Sequence, residues 1–430
     1  MLKTLKNAWG IEELRKKILF TLFIILVYRL GNAVPVPYVN TAMLESYFNT
    51  VNNTILGLWN TMSGGSFSMA TIFALSIQPY INASIIIQLL TIAIPALERL
   101  QKEGGEEGRK KLASITRYTT VGIGLIMGFA YYMLIKNGVN GQSMLTADGA
   151  GVWPAIVIIM TFMAGSALIM WMGEQVTEFG VGNGISIILF ASIIARFPSS
   201  IGTMITNVSN GSLAWWALAL VIVGALAIVV LIVIVNDAER RIPVQYSKRV
   251  VGRKLYGGQS THLPMKVNMS GVMPIIFASS LLAIPGTIGA FVRTDNPVAL
   301  AFFNAFNYNT MLYAVLYFVL ILAFNYFYVA IQYNPIEMSN NLRNNSGTIP
   351  GIRPGRPTSD FITRIISKIT LIGGIILALV ATLPIGIGKI ANMNISLGGT
   401  SIIIVVGVAL DTFRQLESQM MMRHYKGFLE

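Results

Sequence analysis

The sequence predicts an all-α membrane protein. Three observations carry that prediction: apolar runs long enough to cross a bilayer, a scarcity of charge, and a one-sided placement of the charges that remain. Of 430 residues, 54% are hydrophobic and 11% charged, with a mean hydropathy of +0.65. A soluble chain carries about a quarter of its residues charged, so a soluble globular enzyme and a disordered chain are both excluded. Cysteine is absent and histidine occurs twice, at His262 and His424. No disulfide, thiol nucleophile, iron–sulfur cluster or cysteine-ligated zinc is therefore expected, and two distant histidines make a poor metal site. Gly386-Ile-Gly-Lys389 lacks the spacing and the Ser/Thr of a nucleotide-binding P-loop. No cofactor is expected.

A hydrocarbon core of about 30 Å takes roughly 20 apolar residues per helix. Runs of that kind lie near 18–34, 72–97, 116–136, 152–173, 184–203, 213–235, 270–292, 310–332, 369–388 and 399–413, ten in all. Seventeen mostly polar residues precede the first run and no A-x-A site follows it, so it is not expected to be cleaved as a signal peptide.

The charge placement gives the orientation. With the N-terminus inside, segments 1–17, 98–117, 174–183, 236–268, 333–368 and 414–430 hold 26 of the 31 Lys and Arg residues. Lys136, Arg196, Arg293 and Lys389 fall outside, and Arg29 lies within the first run. This bias predicts both termini in the cytoplasm. Ten spans then divide into an N-terminal half, 18–203, and a C-terminal half, 213–413, flanked by a cytoplasmic segment 1–17 and a tail 414–430. Five spans per half invert one half relative to the other. That inversion follows from topology alone.

The centres of the spans contain no Asp, Glu, Lys or His. Ion-coupled transporters place such groups at membrane depth, so a passive conduit is favoured over a coupled pump. The lone Arg29 fits a snorkelling or structurally paired residue. Polar side chains concentrate in the second run, where Ser76, Gln78, Asn82, Ser84 and Gln88 accompany Pro79. They line either a watery path or an ordinary interhelical seam. Residues 59–71, rich in Gly and Ser, are too short to span. They form either a helix folded back into a cavity mouth or a plain external loop.

Two inner loops carry more charge than topology needs. In 236–268, apolar and polar residues alternate through Ile242–Tyr246 and Val250–Tyr256, as in a short hairpin. In 333–368, Gly351-Ile-Arg-Pro-Gly-Arg-Pro357 forms a basic tip stiffened by proline. Such loops attract anionic lipids or dock an acidic partner, either a protein or ribosomal RNA phosphate.

Four segments carry a family resemblance: GGQSTHLPMKVNMSGVMPIIFASS from Gly257 to Ser280, IQPYINASIIIQ from Ile77 to Gln88, Gly351-Ile-Arg-Pro-Gly355, and Arg414-Gln-Leu-Glu417 with Arg423-His-Tyr-Lys-Gly427. They resemble the SecY-type protein-translocation channel, in order and from about residue 12 onward. The resemblance implies a clam shell of two inverted five-helix halves around an hourglass pore, with no bond chemistry. It places the pore ring at Ile77, Ile81, Ile185, Leu189, Ile276 and Ile404, where Leu189 replaces the more usual isoleucine. It places a plug in 59–71, including Ser63, Gly64, Gly65, Ser66 and Phe67, and the two sides of a lateral gate at the spans holding Asn82 and Ile284. The basic tips, with Arg240, Arg241, Lys248, Arg249, Arg253, Lys254, Arg353 and Arg356, correspond to a docking surface for the ribosome or a SecA-type motor ATPase. Phe179 departs from a commonly basic position. SecE-type and SecG-type small subunits, translocating polypeptides and their signal sequences are implied as partners, in the bacterial plasma membrane. The alternative is a polytopic small-solute or lipid transporter.

Overall fold

The computed structural model describes residues 2–50, 55–102, 104–138, 143–149, 151–211, 215–246, 249–251, 254–256, 260–291, 296–306, 310–390 and 399–426. The N-terminal half comprises α1 (Leu2–Gly10), α2 (Glu12–Gly31), α3 (Thr41–Thr50), α4 (Ile55–Met62), α5 (Gln78–Ala93), α6 (Pro95–Lys102), α7 (Gly105–Asn137), α8 (Val152–Phe179) and α9 (Gly184–Ser209). The C-terminal half opens with α10 (Trp215–Asp237), followed by strands β1 (Glu239–Tyr246), β2 (Arg249–Val251), β3 (Lys254–Tyr256) and β4 (Ser260–Lys266). It continues with α11 (Met273–Phe291), α12 (Pro297–Ala305), α13 (Met311–Gln332), α14 (Pro335–Asn344), β5 (Gly347–Thr348), α15 (Arg356–Ile390) and α16 (Gly399–Lys426).

A helix lies on each of the ten apolar runs. Among the described residues, α7, α8, α9, α15 and the stretch Met311–Asn344 contain helices long and apolar enough to cross a membrane. The second run differs from a straight span at both ends. Residues 72–77 are turns, and α5 starts only at Gln78, where Pro79 occupies the first turn and needs no backbone donor. At the other end Ile94 is extended (φ −110°, ψ 112°), as a residue before proline prefers. There the chain bends by 105° into α6. Side chains set other helix ends: Asn183 Oδ1 accepts from the N–H of Ile185 (3.1 Å) and Ser186 (3.3 Å) to start α9.

Helices pack within each half: α5 on α7, α7 on α8 and α8 on α9 in the first, with α11 on α13, α13 on α15 and α10 on α16 in the second. The halves meet along two seams. One joins α9 to α16 and α10; the other joins α5 and α7 to α11. One apolar core lies between them, drawing buried residues from α5, α9, α11, α13, α15 and α16.

The basic segments share one end of the bundle. Arg117 pairs with Glu174 at 2.8 Å. Ala8, Leu14, Val181 and Leu416 form a buried cluster, and Arg414 reaches Asp237 at 2.6 Å. Both long loops join in one sheet of order β4-β1-β5. At the opposite end Pro35 bridges to Thr71 and Val39 to Leu145.

The predicted hairpin pairs differently from its alternation pattern. Ile242–Tyr246 does not pair with Val250–Tyr256. Instead β1 runs antiparallel to β4, from Glu239↔Lys266 to Gln245↔Ser260, and the second run folds on itself as β2–β3. Burying Ile242 and Val244 against Met265, Leu342, Ile349 and Ile362 selects that register.

Candidate pore, plug and gate

Six aliphatic residues from four helices converge between the two halves. Ile77 precedes α5 by one residue and Ile81 lies one turn later, so both face the same way. Ile185 and Leu189 repeat that spacing on α9, Ile276 sits on α11 and Ile404 on α16. Ile77, Ile81, Leu189, Ile276 and Ile404 are each exposed by 3% or less. All five belong to one buried cluster, with Ile185 packed at its edge. On the basic side of this constriction lies a cavity of about 140 Å³, whose lining passes from Asp411, Gln415, Asn183 and Ser186 to Ile276. Its walls are polar toward the mouth and apolar at the constriction.

On the other side the chain makes a self-bonded cap. α4 ends in two crossed bonds, Gly65 N–H to Asn60 C=O (2.8 Å) and Gly64 N–H to Thr61 C=O (3.1 Å). This ending needs a left-handed residue, and Gly64 supplies it with φ +71°. Beyond it, Ser63 Oγ accepts from Phe67 N–H at 3.1 Å and Asn60 Oδ1 from Ser68 N–H at 3.0 Å. Phe67 is buried against Phe48, Trp59 and Tyr131, and Tyr131 donates its hydroxyl to the Phe67 carbonyl. Met62 joins the cluster that holds the constriction residues and accepts from Gln78 Nε2 at 3.3 Å. α4 touches α9 of one half and α11 of the other. Ser63 and Ser66 are buried within this turn. The segment is thus a short helix with a folded tail.

Asn82 and Ile284 lie on the helices of the α5–α11 seam. Asn82 Nδ2 approaches Met127 Sδ on α7 at 3.8 Å, while its Oδ1 is buried with no partner among the described residues. Ile284 is partly exposed on α11, beside Pro285 within the helix. A polar group buried there weakens the seam relative to an apolar contact.

The basic side chains are only partly gathered. Arg240 and Arg241 are exposed on β1, and Arg241 pairs with Glu239 at 2.7 Å. Arg353 and Arg356 are exposed on the neighbouring loop and at the start of α15. Arg249 and Lys254 fall on β2 and β3, and Lys248 and Arg253 lie outside the described residues. Sequence reasoning missed the joining element: β5 pairs with β1 through Gln245↔Thr348 and Tyr246↔Gly347, so the two loops form one unit. It also left Arg29 open, and this residue is paired, donating to the Ala191 carbonyl at 3.1 Å.

Two groups of apolar helices closing on a greasy constriction, with a cap on one side and a polar mouth on the other, define a multi-pass α-helical membrane channel. The SecY family model matches residues 71–413. The protein translocase subunit SecY of Streptomyces scabiei is 42% identical over all of both chains. The chain belongs to the SecY family. Family membership makes it a channel subunit of a protein translocase rather than an enzyme or a small-solute or lipid transporter. Solved channel structures share its fold. A protein-conducting channel matches at 17% identity with a TM-score of 0.67, covering 94% of this chain and 92% of that one. Sec61 from a canine ribosome–channel complex matches at 16% identity with a TM-score of 0.63 and the same coverage.

Proposed function

We propose that Ile77, Ile81, Ile185, Leu189, Ile276 and Ile404 are the pore ring through which unfolded polypeptides cross the membrane. Their convergence from both halves onto one buried cluster is the observation that carries this reading. A chain crossing lipid unaided strips water from each peptide group at a cost of several kcal/mol; a water-filled funnel removes most of that cost. Aliphatic side chains suit the narrowest point because they bind no sequence selectively and close by dewetting. Residues 59–71, with Ser63, Gly64, Gly65, Ser66 and Phe67, act as the plug. The α5–α11 seam, holding Asn82 and Ile284, acts as the lateral gate that releases apolar segments into lipid.

The basic end faces the cytoplasm of a bacterial plasma membrane, with both termini there and the halves 18–203 and 213–413 inverted. Its exposed Arg240, Arg241, Arg353 and Arg356, with Lys248, Arg249, Arg253 and Lys254, dock a SecA-type motor ATPase or the ribosome, which supply the driving energy. Anionic lipids meet the same surface. SecE-type and SecG-type subunits complete the assembly.

The test uses the absence of cysteine. A single cysteine at Ile404 is expected to crosslink to a polypeptide arrested midway through export. Crosslinking only from lipid-facing positions, such as Leu226 on α10, overturns the ring assignment.

A further inference from the structure

On the far side of the ring from the basic loops, the face of α9 changes character over Ala191–Arg196. Arg29 is bonded to the Ala191 carbonyl, and the buried Tyr28 hydroxyl and Ser192 Oγ share a hydrogen bond of 2.6 Å. Gly64 rests on this turn of α9. A Cβ at Gly64 would lie 2.8 Å from the Ser192 carbonyl oxygen and 3.2 Å from its Cα, both immovable backbone atoms. Next to it, a Cβ at Gly65 would lie 3.3 Å from Nη1 of Arg196. The plug turn therefore meets α9 backbone to backbone at one residue and backbone to guanidinium at the next.

Arg196 is out of place by the rule that fixes topology. It is one of four basic residues on the side that the charge bias leaves nearly empty. It is half-buried, and Glu45 on α3 is the acid whose charge acts on it. Its guanidinium lies at the C-terminal end of α4, where the helix dipole presents its negative pole and the last carbonyls of the helix gather. Contact with Gly65, attraction to the end of α4 and attraction to Glu45 all favour the same arrangement. The first two are lost when the Ser63–Phe67 turn leaves the ring, while Glu45 keeps the guanidinium in place to receive it.

We propose that Arg196 is a plug-positioning residue: with the Ser192 backbone it forms a seat on α9 that holds the Gly64–Gly65 turn and biases the channel toward its closed state. This rests on reading 59–71 as the plug.

The test uses the full chain in its assembled translocase, reconstituted in lipid vesicles. A single cysteine replaces Ser66, which is 2% exposed, and its reaction with a water-soluble maleimide is followed together with idle ion conductance. Arg196→Gln is expected to raise both by about tenfold, the effect of removing about 1.4 kcal/mol of closed-state bias. Arg196→Lys, which keeps the charge without the planar fork, is expected to fall between. Polypeptide transport by the same vesicles shows that a variant has folded. Gly64→Val, which must clash with the Ser192 backbone, is the reference for a displaced plug. If Gly64→Val raises both signals and Arg196→Gln raises neither, the plug stands and the role of Arg196 is overturned. If neither variant changes either signal, the plug reading itself fails and takes the proposal with it. Loss of transport in both Arg196 variants without faster labelling assigns Arg196 to folding alone and also overturns the proposal.

Discussion

Arg414 ties the basic end of α16 to that of α10, donating to the Asp237 carboxylate at 2.6 Å and to the backbone carbonyl of Asn236. The carbonyl lies at the C-terminal end of α10, where a guanidinium satisfies an orphan acceptor and meets the negative end of the helix dipole. Asn236 is held from the other side as well, its Oδ1 accepting from Asn268 Nδ2 at 2.7 Å. Arg414 thus joins the first and last spans of the C-terminal half. Asp237 is 62% exposed, so solvent screens most of the ion-pair term. Arg414→Ala is expected to destabilise the purified assembly by about 1 kcal/mol, mainly through the uncapped carbonyl. Arg414→Lys should recover part of that, as read by thermal unfolding in detergent. Equal stability of all three proteins argues against the tie.

The Tyr131 hydroxyl can be removed without disturbing its ring. The ring stacks on Phe67 with centroids 4.2 Å apart, and Phe at position 131 keeps that stacking while leaving the Phe67 carbonyl only the Ala70 N–H as a donor, at 3.3 Å. Losing one of its two hydrogen bonds costs about 0.5–1.5 kcal/mol. Tyr131→Phe is therefore expected to loosen the Ser63–Phe67 turn and raise idle ion conductance. Tyr131→Phe with wild-type conductance shows that this bond does not restrain the turn.

How far the sequence carries the fold is clear from particular stretches. Each apolar run became a helix, because burial in lipid or in a bundle leaves a backbone no other partner for its polar groups. Polar extensions escaped that reading. α16 continues from the run 399–413 through Lys426, and α7 starts at Gly105, well before 116. Hydropathy cannot see a helix that leaves the apolar zone. The alternation in Ile242–Tyr246 and Val250–Tyr256 correctly announced strands but not their partners. Period two reports a half-buried strand, whereas pairing is chosen by distant residues such as Leu342 and Ile362. The proposed ring rests on family resemblance: Ile77 and Ile87 are both buried isoleucines near one helix, and composition cannot say which lines a pore. The partners of Arg414, 177 and 178 positions away, carried no local signal at all.

The constriction can be tested by polarity against shape. Ile81 is 3% exposed, and Ile81→Asn puts an amide among aliphatic neighbours at a cost of about 1–3 kcal/mol. It also gives water a foothold in the proposed pore ring. Idle conductance is expected to rise in planar bilayers. Leu189→Ile conserves volume, costs less than about 1.5 kcal/mol and should leave conductance as it is. Equal leakage from both variants means that packing, not apolar lining, makes the seal.

Pairing of β5 with β1 joins the two basic loops in one sheet. Gly347 sits where an added Cβ would lie 3.0 Å from the Tyr246 ring and 3.3 Å from Val244 Cγ1. Gly347→Val must push the strands apart, and overpacking of this kind costs about 1–3 kcal/mol. On the docking proposed above, motor or ribosome affinity is expected to fall, although no basic residue has changed. The drop should be non-additive with Arg353→Ala, because both variants disturb one surface. Strictly additive losses mean that the loops bind independently.

The lateral gate proposed above lies at the seam between α5 and α11, where buried polar groups sit among apolar ones. Among the described residues, Asn82 keeps its Oδ1 buried without a partner, and Ser280 on α11 does the same with its hydroxyl. Each unpaired group costs about 1–3 kcal/mol in an apolar setting, so the closed seam is held less tightly than an aliphatic one. Cysteines at Asn82 and Ile284 are expected to oxidise to a disulfide in the idle channel and to stop both export and helix insertion, with reduction restoring them. Asn82→Leu should have the milder form of the same effect. By filling the seam with apolar contact it favours closure, so weakly hydrophobic segments insert less while strongly hydrophobic ones still do. Normal export and insertion with the bridge quantitatively formed places the opening elsewhere in the molecule.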